Sequence, residues 1–260
     1  MKRYLLPAFL ALFAAALIGC QHTKTTKDGP ITFIEGERGT PAYEDASLKI
    51  TSPASGDVVD KGSTVNVKMK LDGYKLKEQT PGYKEKGLAY SSNGQHIHLI
   101  LDDNPYNAIY DISEPVQLKD VEPGFHVLQA FPSRSWHESV KSDGAFAVST
   151  FHVGEKGDVT LDTEKPFLVY SRPKGTYEGK DAEKIMVDFY VANADIAPDK
   201  YTVKLTINGT QSTTIDSWKP HWVKGLGPGK HKIKATLIGP DGTPVENGFN
   251  PITRVITVKK

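Results

Sequence analysis

Apolar and polar residues alternate with a period of two along much of this chain. In residues 65–71, Val65, Val67, Met69 and Leu71 fall on one face and Asn66, Lys68 and Lys70 on the other. That pattern predicts a strand with one core face and one wet face. Similar runs stand at 48–50, 96–101, 125–130 and 146–153, separated by turn chemistry at Asp72-Gly73, Asn93-Gly94, Glu122-Pro123-Gly124 and Asp143-Gly144. After a polar stretch at 154–165 a second set follows at 167–171, 185–192, 201–207, 213–216, 231–238 and 253–258. Short strands at this spacing predict an all-β chain of antiparallel sandwiches, one over 47–153 and one over 166–260, joined by the 154–165 linker.

The two sets repeat each other. Pro123-Gly124-Phe125-His126, followed by Leu128 and Ala130, matches Pro228-Gly229-Lys230-His231, followed by Ile233 and Ala235. A repeat supports the boundary independently of periodicity. In each copy this element precedes a final long strand, as strand F precedes G in an immunoglobulin-like sandwich. Ser52-Pro53 with Gly62 resembles the opening of bacterial immunoglobulin-like domains. The resemblance implies two tandem immunoglobulin-like sandwiches, an architecture that does not fix a function.

The first 46 residues have a different pattern. Lys2 and Arg3 precede an apolar run from Tyr4 to Ile18, too short to span a bilayer comfortably, so the run is expected to be a secretory signal. Leu17-Ile18-Gly19-Cys20 resembles a bacterial lipobox. This implies removal of residues 1–19, a diacylglycerol on the Cys20 thiol and a further acyl chain, such as palmitate, on the new amino terminus. Multiple acyl chains anchor stably. Residues 20–46 are polar and read as a flexible tether, with a short strand expected at 31–34. Gln21, not Asp, follows the cysteine, which for a Gram-negative lipoprotein implies the outer membrane. The expected place is therefore the cell envelope, with a membrane partner through the lipid.

Composition narrows the chemistry. Lys and Arg number 32 against 31 Asp and Glu, a net charge of +1, so no nucleic-acid partner is expected and recognition must be local. Cys20 is the only cysteine. If lipid occupies it, the mature chain has no disulfide, thiolate metal site or cysteine nucleophile. No Gly-x-Ser-x-Gly elbow, His-Glu-x-x-His or phosphate loop occurs, and a non-enzymatic role is expected.

Five of the eight histidines fall in the strands and loops of the first sandwich. His96 and His98, two apart on one strand, project from the same face. With His137 they could offer three imidazoles to copper or zinc, with Glu138 as a fourth ligand or an orienting group. Alternatively, His96 and His98 decorate the wet face of a strand whose core side is Ile97, Leu99 and Leu101. Tyr90, Arg134, Trp136 and Glu138 read as a stacking and hydrogen-bonding surface for a glycan or an envelope protein, unless Trp136 plugs the core and Arg134 pairs with Glu138. His126 and His231, both after Pro-Gly, read as structural groups satisfying loop carbonyls. Asp102-Asp103-Asn104 with the acidic loop 111–114 could bind calcium or simply form turns. In the second domain Trp218, His221 and Trp222 stand out without a catalytic partner.

Residues 95–102 and 131–139 together resemble a family of bacterial envelope proteins with tandem β domains, which brings no activity with it. The leading expectation is a lipid-anchored envelope protein with a non-enzymatic binding or scaffolding role through loops of the first domain. The alternative is a periplasmic copper- or zinc-binding lipoprotein using the histidine cluster.

Overall fold

A computed structural model describes residues 30–86 and 88–259. The signal, Cys20 and the first part of the expected tether lie outside the described residues. The chain begins with β1 (Thr32–Glu35) and then builds one sandwich from β2 (Ser47–Ser52), β3 (Asp57–Val59), β4 (Val65–Asp72), β5 (His96–Leu101), β6 (Asn107–Ile109), β7 (Val116–Leu118), β8 (Gly124–Ser133) and β9 (Ala147–Val153). A second sandwich follows from β10 (Phe167–Arg172), β11 (Thr176–Tyr177), β12 (Ile185–Ala192), β13 (Thr202–Ile207), β14 (Gln211–Ile215), β15 (His221–Lys224), β16 (Gly229–Ile238) and β17 (Ile252–Val258), with a single helical turn at Lys180–Glu183.

Both sandwiches have one topology. In the first, β2-β4-β7 faces β3-β9-β8-β5-β6; in the second, β10-β12-β15 faces β11-β17-β16-β13-β14. In each the short strand after the opening one pairs in parallel with the last, β3 with β9 and β11 with β17. The repeated Pro-Gly is explained by the backbone: Gly124 and Gly229 open β8 and β16 at φ 133° and 142°, values L side chains rarely adopt. Behind them His126 Nε2 meets the Glu122 carbonyl at 2.6 Å and His231 Nε2 the Gly227 carbonyl at 2.7 Å. Asp102 and Asn208, in left-handed backbone after β5 and β13, each bond the ring Nδ1 and the N–H of the following residue. The structural reading of both histidines holds. Asp102 is thereby spent on protein partners, and Asp103 pairs with Arg254 at 2.7 Å, which argues against the calcium reading.

The two sandwiches are packed face to face. The inner side of β5, Ile97 and Leu99, lies in the first core with Val65, Val67, Leu128 and Phe151. Its outer side is not wet: Ile100, with Tyr106 and Phe131, is covered by Phe167, Val169, Tyr190 and Ala192 of β10 and β12. Hence His96 and His98 are fully buried, and every residue of β12 is buried. A strand covered on both sides reads as a near-continuous apolar run, which Ile-Met-Val-Asp-Phe-Tyr-Val-Ala does. Its one charge, Asp188, accepts hydrogen bonds from Lys141 Nζ at 2.8 Å and Ser139 Oγ at 2.9 Å across the joint.

The described part of the expected tether is not free chain. A short strand was expected at 31–34, and β1 pairs antiparallel with β15, Thr32 opposite Lys224 and Glu35 opposite His221, covering an edge of the second sandwich whose N–H and C=O groups would otherwise lie open. The chain then crosses to the first sandwich, where Arg134 Nη2 donates to the carbonyls of Gly39 and Pro41 at 2.8 and 2.7 Å. This segment straps the two sandwiches together. Replacing Lys141 by Met leaves the Asp188 carboxylate buried without its cation; a loss of about 3–5 kcal/mol is expected, read as a lower urea midpoint.

Candidate metal centre

Three elements bring the histidines together. Alternation on β5 aims His96 and His98 at the joint, and β8 carries the chain past them, with His98 opposite Phe131 and His96 opposite Ser133. Beyond β8 a tight loop turns back: Arg134 N–H donates to the Glu138 carbonyl at 2.9 Å and His137 N–H to the Arg134 carbonyl at 2.8 Å. The turn holds His137 at φ 71°, an uncommon conformation for a residue with a side chain, and delivers its ring beside the other two. From the second sandwich, Ser171 sits at a register shift between Tyr170 and Arg172, where a bulge re-aims side chains, and its Oγ lies 2.9 Å from His98 Nδ1.

His96 Nε2 lies 3.0 Å from His98 Nε2 and 3.2 Å from His137 Nδ1, and the three atoms lie within 4.8 Å of one another. His96 Nδ1 is 2.9 Å from the Gly94 carbonyl, which can only accept, so in neutral His96 the proton sits on Nδ1 and Nε2 presents a lone pair. With metal–nitrogen bonds of about 2.0–2.1 Å, two nitrogens on one ion stand about 2.9 Å apart at a right angle and about 3.4 Å at the tetrahedral angle. The two short separations fall in that window. Tyr106 stacks on the His98 ring, 3.5 Å between centroids at 9°, and its hydroxyl is 3.3 Å from His137 Nδ1.

Burial is the main cause that holds His96 down at about 4, and it takes His98 and His137 well below the ordinary imidazole range. Arg172, which ends β10, and Lys174, two residues on, push all three the same way. Lys174 donates to the Tyr106 carbonyl at 2.7 Å and stands 3.5 Å from that ring's centroid, and burial brings it down to about 8. The imidazoles are thus neutral at pH 7, the form that ligates a metal.

The open stacking surface expected from Arg134, Trp136 and Glu138 is absent, because all three are buried within the fold. Trp136 is 1 % exposed, packs with Met186 and Trp222, and donates its Nε1–H to Glu138 Oε2 at 2.7 Å. Glu138 Oε1 accepts from Gly39 N–H at 2.8 Å and lies 3.7 Å from Arg134. Glu138 is therefore committed to the strap and the indole, not to the histidines. A Cβ on Gly39 would stand 2.5 Å from the Trp136 ring, so the strap can pass only as glycine. Tyr90 alone of the four is exposed, at 45 %, and packs edge-on against Tyr83. Trp222 is buried in the same cluster as Trp136. Tyr106, Ser171, Arg172 and Lys174 were not anticipated; the basic pair flanking Pro173 after an apolar strand is the one trace of them in the sequence.

No protein-family model matches the chain, and no curated protein matches it. Among solved structures it is similar to fibronectin(III)-like modules of Clostridium thermocellum CbhA, at 14 % identity over 82 % of this chain and 94 % of that one, with a TM-score of 0.28. It is also similar to the D00-D0 domain of Intimin, at 12 % identity over 82 % and 100 %, TM-score 0.24. A third is the Bacteroides ovatus mixed-linkage glucan utilization protein SGBP-B in complex with a heptasaccharide, at 10 % identity over 82 % and 48 %, TM-score 0.23. The strand order and register given above define the class: a chain of two tandem immunoglobulin-like β-sandwiches.

Two outcomes are expected. Trp136→Ala removes a buried indole that closes the joint and lowers stability by about 3–5 kcal/mol in chemical denaturation. In the metal-free protein, unfolded imidazoles titrate near 6.5 while folded His96 titrates at about 4, so below pH 6.5 the unfolded chain binds more protons. Stability is then fully present above about pH 6.5 and falls as pH drops towards 4. Melting temperatures at pH 7.5 and 5 should differ more for the wild type than for His98→Gln.

Proposed function

We propose that this protein is a lipid-anchored protein of the bacterial envelope that binds copper or zinc through His96, His98 and His137. The observation that carries the reading is the convergence of three imidazole nitrogens, His96 Nε2 at 3.0 and 3.2 Å from the other two, in a buried site at the joint of the sandwiches. Imidazole suits both metals, and the order of affinities favours copper where both are available. The hydrogen bonds of His96 to Gly94 and of His98 to Ser171 orient the rings from the side away from the ligand atoms, the usual arrangement for metal-bound imidazole. Ser171 belongs to the second sandwich, so bound metal would also stiffen the joint. The role is binding through the histidines of the first domain; a glycan or protein surface at its loops has only Tyr90 left to support it. Anchoring through Cys20 rests on the lipobox resemblance, and its implication of the outer membrane on Gln21.

The mature chain from residue 21 onward, expressed without a tag, should carry one copper or zinc per molecule by elemental analysis, and His96→Ala should carry little or none. Wild-type protein without stoichiometric metal after loading would sink the reading. Mass spectrometry of the membrane fraction should find diacylglycerol on Cys20.

A further inference from the structure

The histidine cluster carries an electrostatic problem that points to a second ligand. Three imidazole ligands bring no negative charge to a bound ion, and Arg172 lines the same small cavity as His137. A divalent ion held there would place its charge next to a guanidinium in a buried site, and an uncompensated buried charge is costly. Among the described residues no carboxylate hydrogen-bonds to the three rings; Glu138 is engaged by Gly39 and Trp136. Asp181 and Lys184 line the same cavity as His137 and Arg172, so that its wall carries two cations, Arg172 and Lys184, against one carboxylate.

Beside His137 lies a cavity of 20 Å³, also lined by Arg172, Trp136 and Tyr177. That volume holds one water-sized group. Arg172 reaches Tyr177 Oη with Nη1 at 3.3 Å, but its Nε is buried with no hydrogen-bond acceptor. A buried donor left unpaired is uncommon and asks for a partner.

Resting on the metal reading, we propose that the loaded centre takes a halide-sized monoanion in this cavity, bound by the metal on one side and by Arg172 on the other. The anion supplies the negative charge that the three imidazoles lack, and it gives the Arg172 Nε–H its acceptor. A volume of 20 Å³ suits a halide better than phosphate or sulfate. Arg172 acts as a specificity-determining residue for the anion and is not a metal ligand.

The test uses the intact protein loaded with copper(II) at pH 7, titrated with chloride against perchlorate at constant ionic strength and followed by electron paramagnetic resonance and visible absorption. Saturable binding of one chloride per copper is expected, at least tenfold weaker in Arg172→Met and several-fold weaker in Arg172→Lys. The lysine variant keeps the charge and serves if the methionine variant does not fold. Stoichiometric copper with no chloride response, or equal chloride affinity in wild type and variants, overturns the anion site and leaves the metal reading standing. Failure of the wild type to hold copper overturns both.

Discussion

The structure depends on the burial of the outer face of β5 beneath β10 and β12. A lone immunoglobulin-like sandwich leaves that face to water, and histidines on it would be solvated and titrate ordinarily. Here Phe167, Val169, Tyr190 and Ala192 cover it, so His96 and His98 lose water on every side. Desolvation keeps them neutral, and neutrality keeps their lone pairs available. Packing, protonation and ligand chemistry follow from one contact between sheets.

That contact is reinforced at both flanks. On one side the buried Lys141–Asp188 pair and Ser139 tie the 134–141 loop to β12. On the other, the strap from β1 runs off the second sandwich and is received by Arg134 and Glu138 of the loop that carries His137. The conspicuous Arg-x-Trp-His-Glu segment therefore divides its work. Arg134, Trp136 and Glu138 build the joint, and His137 alone faces the site. The ring of His137 is held in place by the same buried network that removes its neighbours from the surface.

Much of the fold was legible in the sequence, because an inner face must be apolar every second residue. β4, β5 and β12 fall at or within a residue of their expected bounds, and Gly124 and Gly229 mark the same corner twice. Five short strands, β3, β6, β7, β11 and β15, of two to four residues each, are too short to show a period. The convergence of His96, His98 and His137 was anticipated as one of two possibilities. Periodicity could not choose between them, since it reports which face a residue takes and not what lies opposite. The cover comes from β10 and β12, far along the chain, and only their near-continuous apolar runs hinted that both their faces were buried. For the same reason Trp136 and Arg134 read as a surface: their partners in the strap lie almost a hundred residues upstream.

The central claim is that three imidazoles from one sandwich, shut in by the other, form a single metal centre. X-ray absorption at the metal edge of the zinc- or copper-loaded protein tests it most directly. The account predicts one ion per chain with three imidazole nitrogens at about 2.0–2.1 Å. Bound metal with one imidazole or none, or with three in a protein lacking His98, would contradict it.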